Sequence, residues 1–211
     1  MGKDPPQAIP TKCQRCDKPL SDVTMCDFCH SLNPAAAGVD YFTLLGLPPQ
    51  FELDAEVLRE RFLALSRTVH PDMHGGDAAD AQGLAVQLAA AVNDAYRTLR
   101  SPDLRAAYLL ELVGGKSSAQ DKSVPEGFLG TIMMMQEEVH GAKAGGHAAE
   151  LERLRGVLKT QHDGLIRRIA GLFCELAAGA ACVAVRKDLQ GEIRRQLNAV
   201  SYVAKLLEQA G

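Results

Sequence analysis

Two Cys-x-x-Cys pairs, Cys13-Gln14-Arg15-Cys16 and Cys26-Asp27-Phe28-Cys29, stand nine residues apart near the start of the chain. Two thiolates at this spacing can grip one ion, and two such knuckles complete a closed tetrahedral four-sulfur shell of the kind Zn²⁺ prefers. The segment has little apolar content, so ion binding would supply most of its folding free energy. A redox dithiol pair, an iron site and unliganded thiols are the competing readings. With four Cys present, His30 reads as a bystander. Since no protein ligand is missing, the shell reads as structural zinc rather than an open catalytic centre. The second constellation is His70-Pro71-Asp72, an imidazole, a rigid ring and a carboxylate in three consecutive residues. Pro71 fixes φ and lowers the chain entropy there, which suits a loop that presents its side chains to a visitor. As a bare string it is also an ordinary turn, and its context decides.

That context is helical. Asp54 is a good N-cap before a helix in which Leu58, Phe62, Leu65 and Val69 recur at helical spacing. The helix must end near Val69, because the ring of Pro71 disfavours αR geometry at His70. Met73 to Asp80 reads as a polar, Gly-containing loop, followed by a helix from about Leu84 to Arg100 with Leu88, Val92, Ala95 and Leu99 on one face. Ser101-Pro102-Asp103 opens another helix through Leu112. Upstream, Tyr41 to Gly46 is a short apolar turn stopped by Pro48-Pro49. Downstream, stretches at about 126–140, 147–178 and 183–209 are amphipathic and joined by short connections, the pattern of a three-helix bundle. The expected division is a loose tail over 1–12, a four-Cys zinc ribbon and linker over 13–38, a helical module over 39–113, a linker over 114–125 and the bundle over 126–211.

The 211 residues are 46% hydrophobic, 23% charged and 5% aromatic, with no Trp. Ala, Leu, Glu and Arg lose little rotamer freedom in a helix, so the fold class is all-α. A net charge of −3 leaves no global basic field to collect phosphates, so nucleic acid is excluded as a default partner. Residues 40–112 hold 11 acidic and 6 basic side chains, net −5, whereas 126–211 hold 10 and 11, net +1; the two regions read as separate modules. No apolar run is long enough for a membrane span, and Met1–Pro10 shows no signal core. The expected setting is cytoplasmic and reducing, where clustered Cys suggest metal rather than disulfides.

The order Tyr41-Phe42-Thr43-Leu44-Leu45-Gly46, then a helix ending in His70-Pro71-Asp72, then Val92-Asn93-Asp94-Ala95-Tyr96-Arg97-Thr98-Leu99 resembles the J-domain family over residues 40–112. With Arg105-Ala106-Ala107-Tyr108-Leu109-Leu110, a C-terminal bundle and the double Cys-x-x-Cys segment, the chain is similar to HscB-type co-chaperones of iron–sulfur cluster assembly over about residues 13–209. The resemblance implies a non-enzymatic, L-shaped molecule. Its His70, Pro71 and Asp72 would stimulate the ATPase of a DnaK/HscA-class chaperone, docked along the helix bearing Arg59, Arg61 and Arg67. Many J-domains are more basic on that helix, so a dedicated partner is expected.

The resemblance also places the scaffold-binding face, for an IscU-type iron–sulfur scaffold protein, on the first bundle helix at Leu129, Met133, Met134 and Glu137. Three of these recur every four residues, and flexible Met side chains suit an adaptable surface. The alternative is that Met133 and a neighbour pack the bundle. Gly130, Met134 and Gly141 depart from the family pattern, which puts client affinity in doubt. Homodimerisation stays open. Gly115-Lys116-Ser117 lacks the upstream Gly of a phosphate loop, Leu110 standing in its place. His140, His147 and His162 are expected to face solvent, and Cys174 and Cys182 to be small buried hydrophobes. A general J-protein binding unfolded clients is the second functional reading, and a zinc-ribbon nucleic-acid adaptor the third, disfavoured by the acidity.

Overall fold

A computed structural model describes residues 12–74, 79–179 and 182–211. The tail expected over 1–12 lies outside it except for Lys12, as do residues 75–78 of the polar loop. Seven α-helices and no named strand occur among the described residues: α1 Tyr41–Leu44, α2 Ala55–Thr68, α3 Ala79–Arg100, α4 Pro102–Leu112, α5 Phe128–Ala144, α6 Ala148–Ala177 and α7 Val183–Ala210. They fall into two compact units, Met1–Ser101 and Pro102–Gly211. The division places α4 with the C-terminal helices, against α6 and α7.

In the first unit α1 and α2 each start where a side chain satisfies orphan N–H groups. Asp40 accepts from the N–H of Phe42 and Thr43, both at 3.0 Å, and Asp54 from Glu56 and Val57 at 2.8 and 3.2 Å. Gly46, at φ 64°, closes α1 in the left-handed region. Leu88, Val92, Ala95 and Leu99 of α3 are fully buried, as is Val69, with Leu58 nearly so. Phe62 of α2 stacks on Tyr96 of α3 with ring centroids 4.1 Å apart, and the Arg100 guanidinium lies over the Tyr96 ring, 5.6 Å from its centroid. The α2–α3 hairpin is therefore held along its length. Helix α3 begins five residues before the expected Leu84. The polar loop is expected to reach Asp80, yet Ala79 to Gln82 are helix-compatible and Asp80 favours the first turn electrostatically. Pro34–Gly38, expected to be linker, is a 3₁₀ turn capped by Asn33 with Ala36 fully buried.

In the second unit α6 and α7 form a long hairpin on which α5 packs. Phe128, Ile132, Val139, Leu154, Leu158, Val203 and Leu206 meet in one core, with Met135 against it. Helix α4 buries Ala106, Leu109 and Leu110. Helix α7 also buries polar side chains that periodicity assigns to solvent. Gln190 Nε2 donates to the Val113 carbonyl at 2.8 Å, and Asn198 Nδ2 donates to the carbonyls of Asp121 and Ser123 at 3.0 and 2.7 Å. The stretch 114–125 is thus non-helical but pinned. Asn198→Ala should cost about 1–3 kcal/mol, since two carbonyls lose a donor at once. A fall in the denaturant midpoint, with faster amide exchange around 114–125, checks this.

Three side chains differ from expectation. Cys174 and Cys182 are exposed, not buried. Cys174 lies in the last turns of α6, where Leu172, Phe173 and Leu176 take the buried positions, and Cys182 immediately precedes α7. His162 is not solvent-facing: its side chain is 20% exposed, with Nε2 3.1 Å from Asp103 Oδ2 and Nδ1 3.5 Å from Asp163 Oδ1. The first turn of α4 brings Asp103 beside it. His140 and His147 are exposed as expected.

Candidate functional site

The two Cys knuckles have the same local build. In each, the first Cys donates its N–H five residues ahead, Cys13 to Lys18 O at 2.8 Å and Cys26 to Ser31 O at 3.0 Å. The residue after the second Cys turns left-handed, Asp17 at φ 58° and His30 at φ 55°, and gives its N–H back to the first Cys carbonyl. One antiparallel bridge closes each loop, Lys12 with Pro19 and Met25 with Leu32. Side chains stabilise the junction: Asn33 Nδ2 donates to Val23 O at 2.8 Å, and the Thr24 N–H donates to Asp22 Oδ1 at 2.7 Å.

The four sulfurs all lie within 4.8 Å of one another, with Cys13–Cys29 at 3.6 Å and Cys16–Cys26 at 3.7 Å. Four thiolates about 2.3 Å from a central ion stand about 3.8 Å apart, so the shell has the size of a tetrahedral metal site. Protonation chemistry agrees with this fit. The Ser31 hydroxyl and backbone N–H groups lower the Cys13 thiol to about 6. For Cys16 the Lys18 N–H acts to lower it, but burial and the neighbouring thiols prevail and hold it well above the ordinary thiol value. Four sulfurs this close resist shared ionisation unless a cation sits among them. Cys13, Cys16, Cys26 and Cys29 could therefore hold a metal ion, with Cys13 and Cys26 buried. His30 is exposed and outside the cluster.

At the far end of α2 the helix stops as the proline dictates. The Val69 N–H still reaches Leu65 O at 2.9 Å, and buried Val69 anchors the exit. Pro71–His74 then makes a single 3₁₀ turn. The Asp72 N–H donates to His70 Nδ1 at 3.2 Å, and the Met73 N–H to His70 O at 3.0 Å. A neutral ring that accepts this bond at Nδ1 carries its proton on Nε2, which is then free to donate. The His70 and Asp72 side chains are 56% and 90% exposed, with Nδ1 3.7 Å from Asp72 Oδ2. The elbow is rigid in its backbone and open in its chemistry. Arg59, Arg61 and Arg67 are all exposed but do not share a face: at 100° per residue Arg59 and Arg67 stand about 80° apart and Arg61 lies opposite.

On α5 the buried face is Phe128, Ile132, Val139 and Ala142. Leu129, Met133 and Met134 are 48%, 61% and 61% exposed, and Glu137 is exposed as well. Leu129, Met133 and Glu137 form one stripe, with Met134 about 100° further round. Met135, not Met133 or Met134, packs the core. Nothing lies within 4 Å of an added Cβ at Gly130 or Gly141, so no packing requires glycine at either.

No family model matches the chain. Two solved structures do resemble it. The chaperone HscB from Vibrio cholerae superposes with a TM-score of 0.67 at 29% identity, covering 82% of this chain and 95% of that one. The human co-chaperone protein HscB superposes with a TM-score of 0.77 at 24% identity, covering 94% and 96%. An α2–α3 hairpin ending in an exposed His-Pro-Asp elbow, a helical unit carrying an exposed Leu/Met stripe, and these matches over most of both chains together mean that the chain has the HscB-type co-chaperone fold.

Proposed function

We propose that this chain is a J-type co-chaperone of iron–sulfur cluster assembly. The α5 stripe binds an IscU-type scaffold protein, and the His70-Pro71-Asp72 elbow stimulates the ATPase of a DnaK/HscA-class chaperone. The observation that carries this reading is the exposure of both features on separate units of one chain. A chain that holds the client while its elbow engages the chaperone makes the second contact intramolecular, raising effective concentration without new bonds. The chemistry of hydrolysis belongs to the chaperone; this chain's residues bind and position. Zinc is the metal that a closed four-Cys shell favours, in a structural role. No helix of the described residues is long and apolar enough to cross a membrane, which is compatible with the cytoplasmic setting proposed here.

Replacing Leu129 and Met133 by Asp should weaken scaffold binding by about 30-fold or more, since truncating an apolar anchor costs about 2 kcal/mol or more. Both positions are exposed, so the fold should stand. Calorimetric titration with a purified scaffold protein checks it. Unchanged affinity, or equal binding to varied denatured proteins, favours the general J-protein reading instead.

A further inference from the structure

A cleft of about 920 Å³ lies within the first unit, between the Cys knuckles and the elbow end of the α2–α3 hairpin. Leu20 and Met25 line it from the knuckle side, Met73 and Leu84 from the hairpin side. Among the described residues its lining includes Arg15, Arg67 and His30 and no Asp or Glu. Among the described residues this concave surface is apolar and cationic, in a chain whose net charge is −3.

Its position gives it an occupant. Met73 is 74% exposed and follows His70 by three residues, so the elbow and the cleft share a rim. A specific protein contact buries about 800 Å² on each partner, far more than a three-residue elbow offers. A partner seated on His70-Pro71-Asp72 must spread onto neighbouring surface, and this cleft is that surface on the side of the knuckles. Large exposed apolar side chains rimmed by charge mark such contacts.

Building on the co-chaperone reading above, we propose that the cleft is a second docking site for the chaperone ATPase that engages the elbow. It takes an acidic, apolar-flanked segment of that partner between Arg15 and Arg67. The four-Cys module thereby sets how tightly the chaperone is held, while the elbow sets whether hydrolysis is triggered.

The test is titration of full-length, metal-loaded protein against a purified DnaK/HscA-class ATPase, read as half-maximal concentration and plateau of stimulation. Arg15→Glu lies on the exposed surface of the module and should raise the half-maximal concentration about tenfold with the plateau kept, an effect that shrinks as salt screens the charges. Lys159→Glu, the same charge change on α6, should leave the curve in place. His70→Gln should instead remove the plateau. An Arg15→Glu curve identical to the parent, with His70→Gln still silent, overturns the cleft proposal and spares the co-chaperone reading. Curves unchanged by either variant overturn both. A shift that follows a change in sedimentation assigns the cleft to a second copy of this chain and overturns the proposal too.

Discussion

His70→Gln should reduce stimulation of a DnaK/HscA-class ATPase to the basal rate while the chain keeps its helical content and melting temperature. The side chain is more than half exposed, and its internal bond is one acceptance from the Asp72 N–H, itself in water. Losing a solvated bond of this kind costs little, within the roughly 0.5 kcal/mol expected of surface substitutions. The loss of activity, by contrast, is that of a central contact, about 2–4 kcal/mol or about 30-fold to 1,000-fold. A variant that melts normally yet fails to stimulate separates recognition from folding. Stimulation at the parental level would remove the elbow from the mechanism.

Stripping the metal should unfold residues 13–32 and leave the far-ultraviolet helical signal nearly intact. The module has few apolar groups of its own: Cys13, Cys26 and Leu32 are its buried hydrophobic residues. A structural zinc ion contributes about 10–16 kcal/mol of apparent binding free energy near neutral pH, which for such a module is its folding free energy. The helices rest on separate cores, Leu88, Val92 and Leu99 in one and Leu154, Leu158 and Val203 in the other. Limited proteolysis with and without chelator should show new cuts confined to the module. Protons compete with the ion for sulfur, so release should quicken as pH falls. Cys26→Ser should reproduce the metal-free pattern, because Cys26 is fully buried at the shell. Collapse of the entire helical signal would mean that the module is part of the hairpin's core instead.

Much of this was readable in one dimension because the physics is local. A proline two residues beyond Val69 ends α2 wherever the rest of the chain goes, and Leu88, Val92, Ala95 and Leu99 share a face by spacing alone. The four-sulfur shell was equally legible, since knuckle spacing and ligand type define it. What was not legible depends on residues far apart. The buried amides Gln190 and Asn198 look like a solvated face until residues 113–123 are laid across them. His162 looks free until Asp103, fifty-nine positions away, arrives beside it. Cys174 and Cys182 sit among apolar neighbours in sequence, yet Cys174 takes the outer face of α6 between buried Phe173 and Leu176, and Cys182 precedes the first turn of α7. The cationic cleft joins positions near 15 to positions near 67 and has no signature in either stretch alone.

Helix α4 has a bearing on how the molecule can be cut. Sequence spacing alone would place a fragment end after Val113, but Ala106, Leu109 and Leu110 are covered by α6 and α7. A recombinant piece stopping there would display a bare greasy rod and tend to clump. One ending at Ser101 should stay monodisperse, and the complementary fragment from Pro102 should retain its own melting transition.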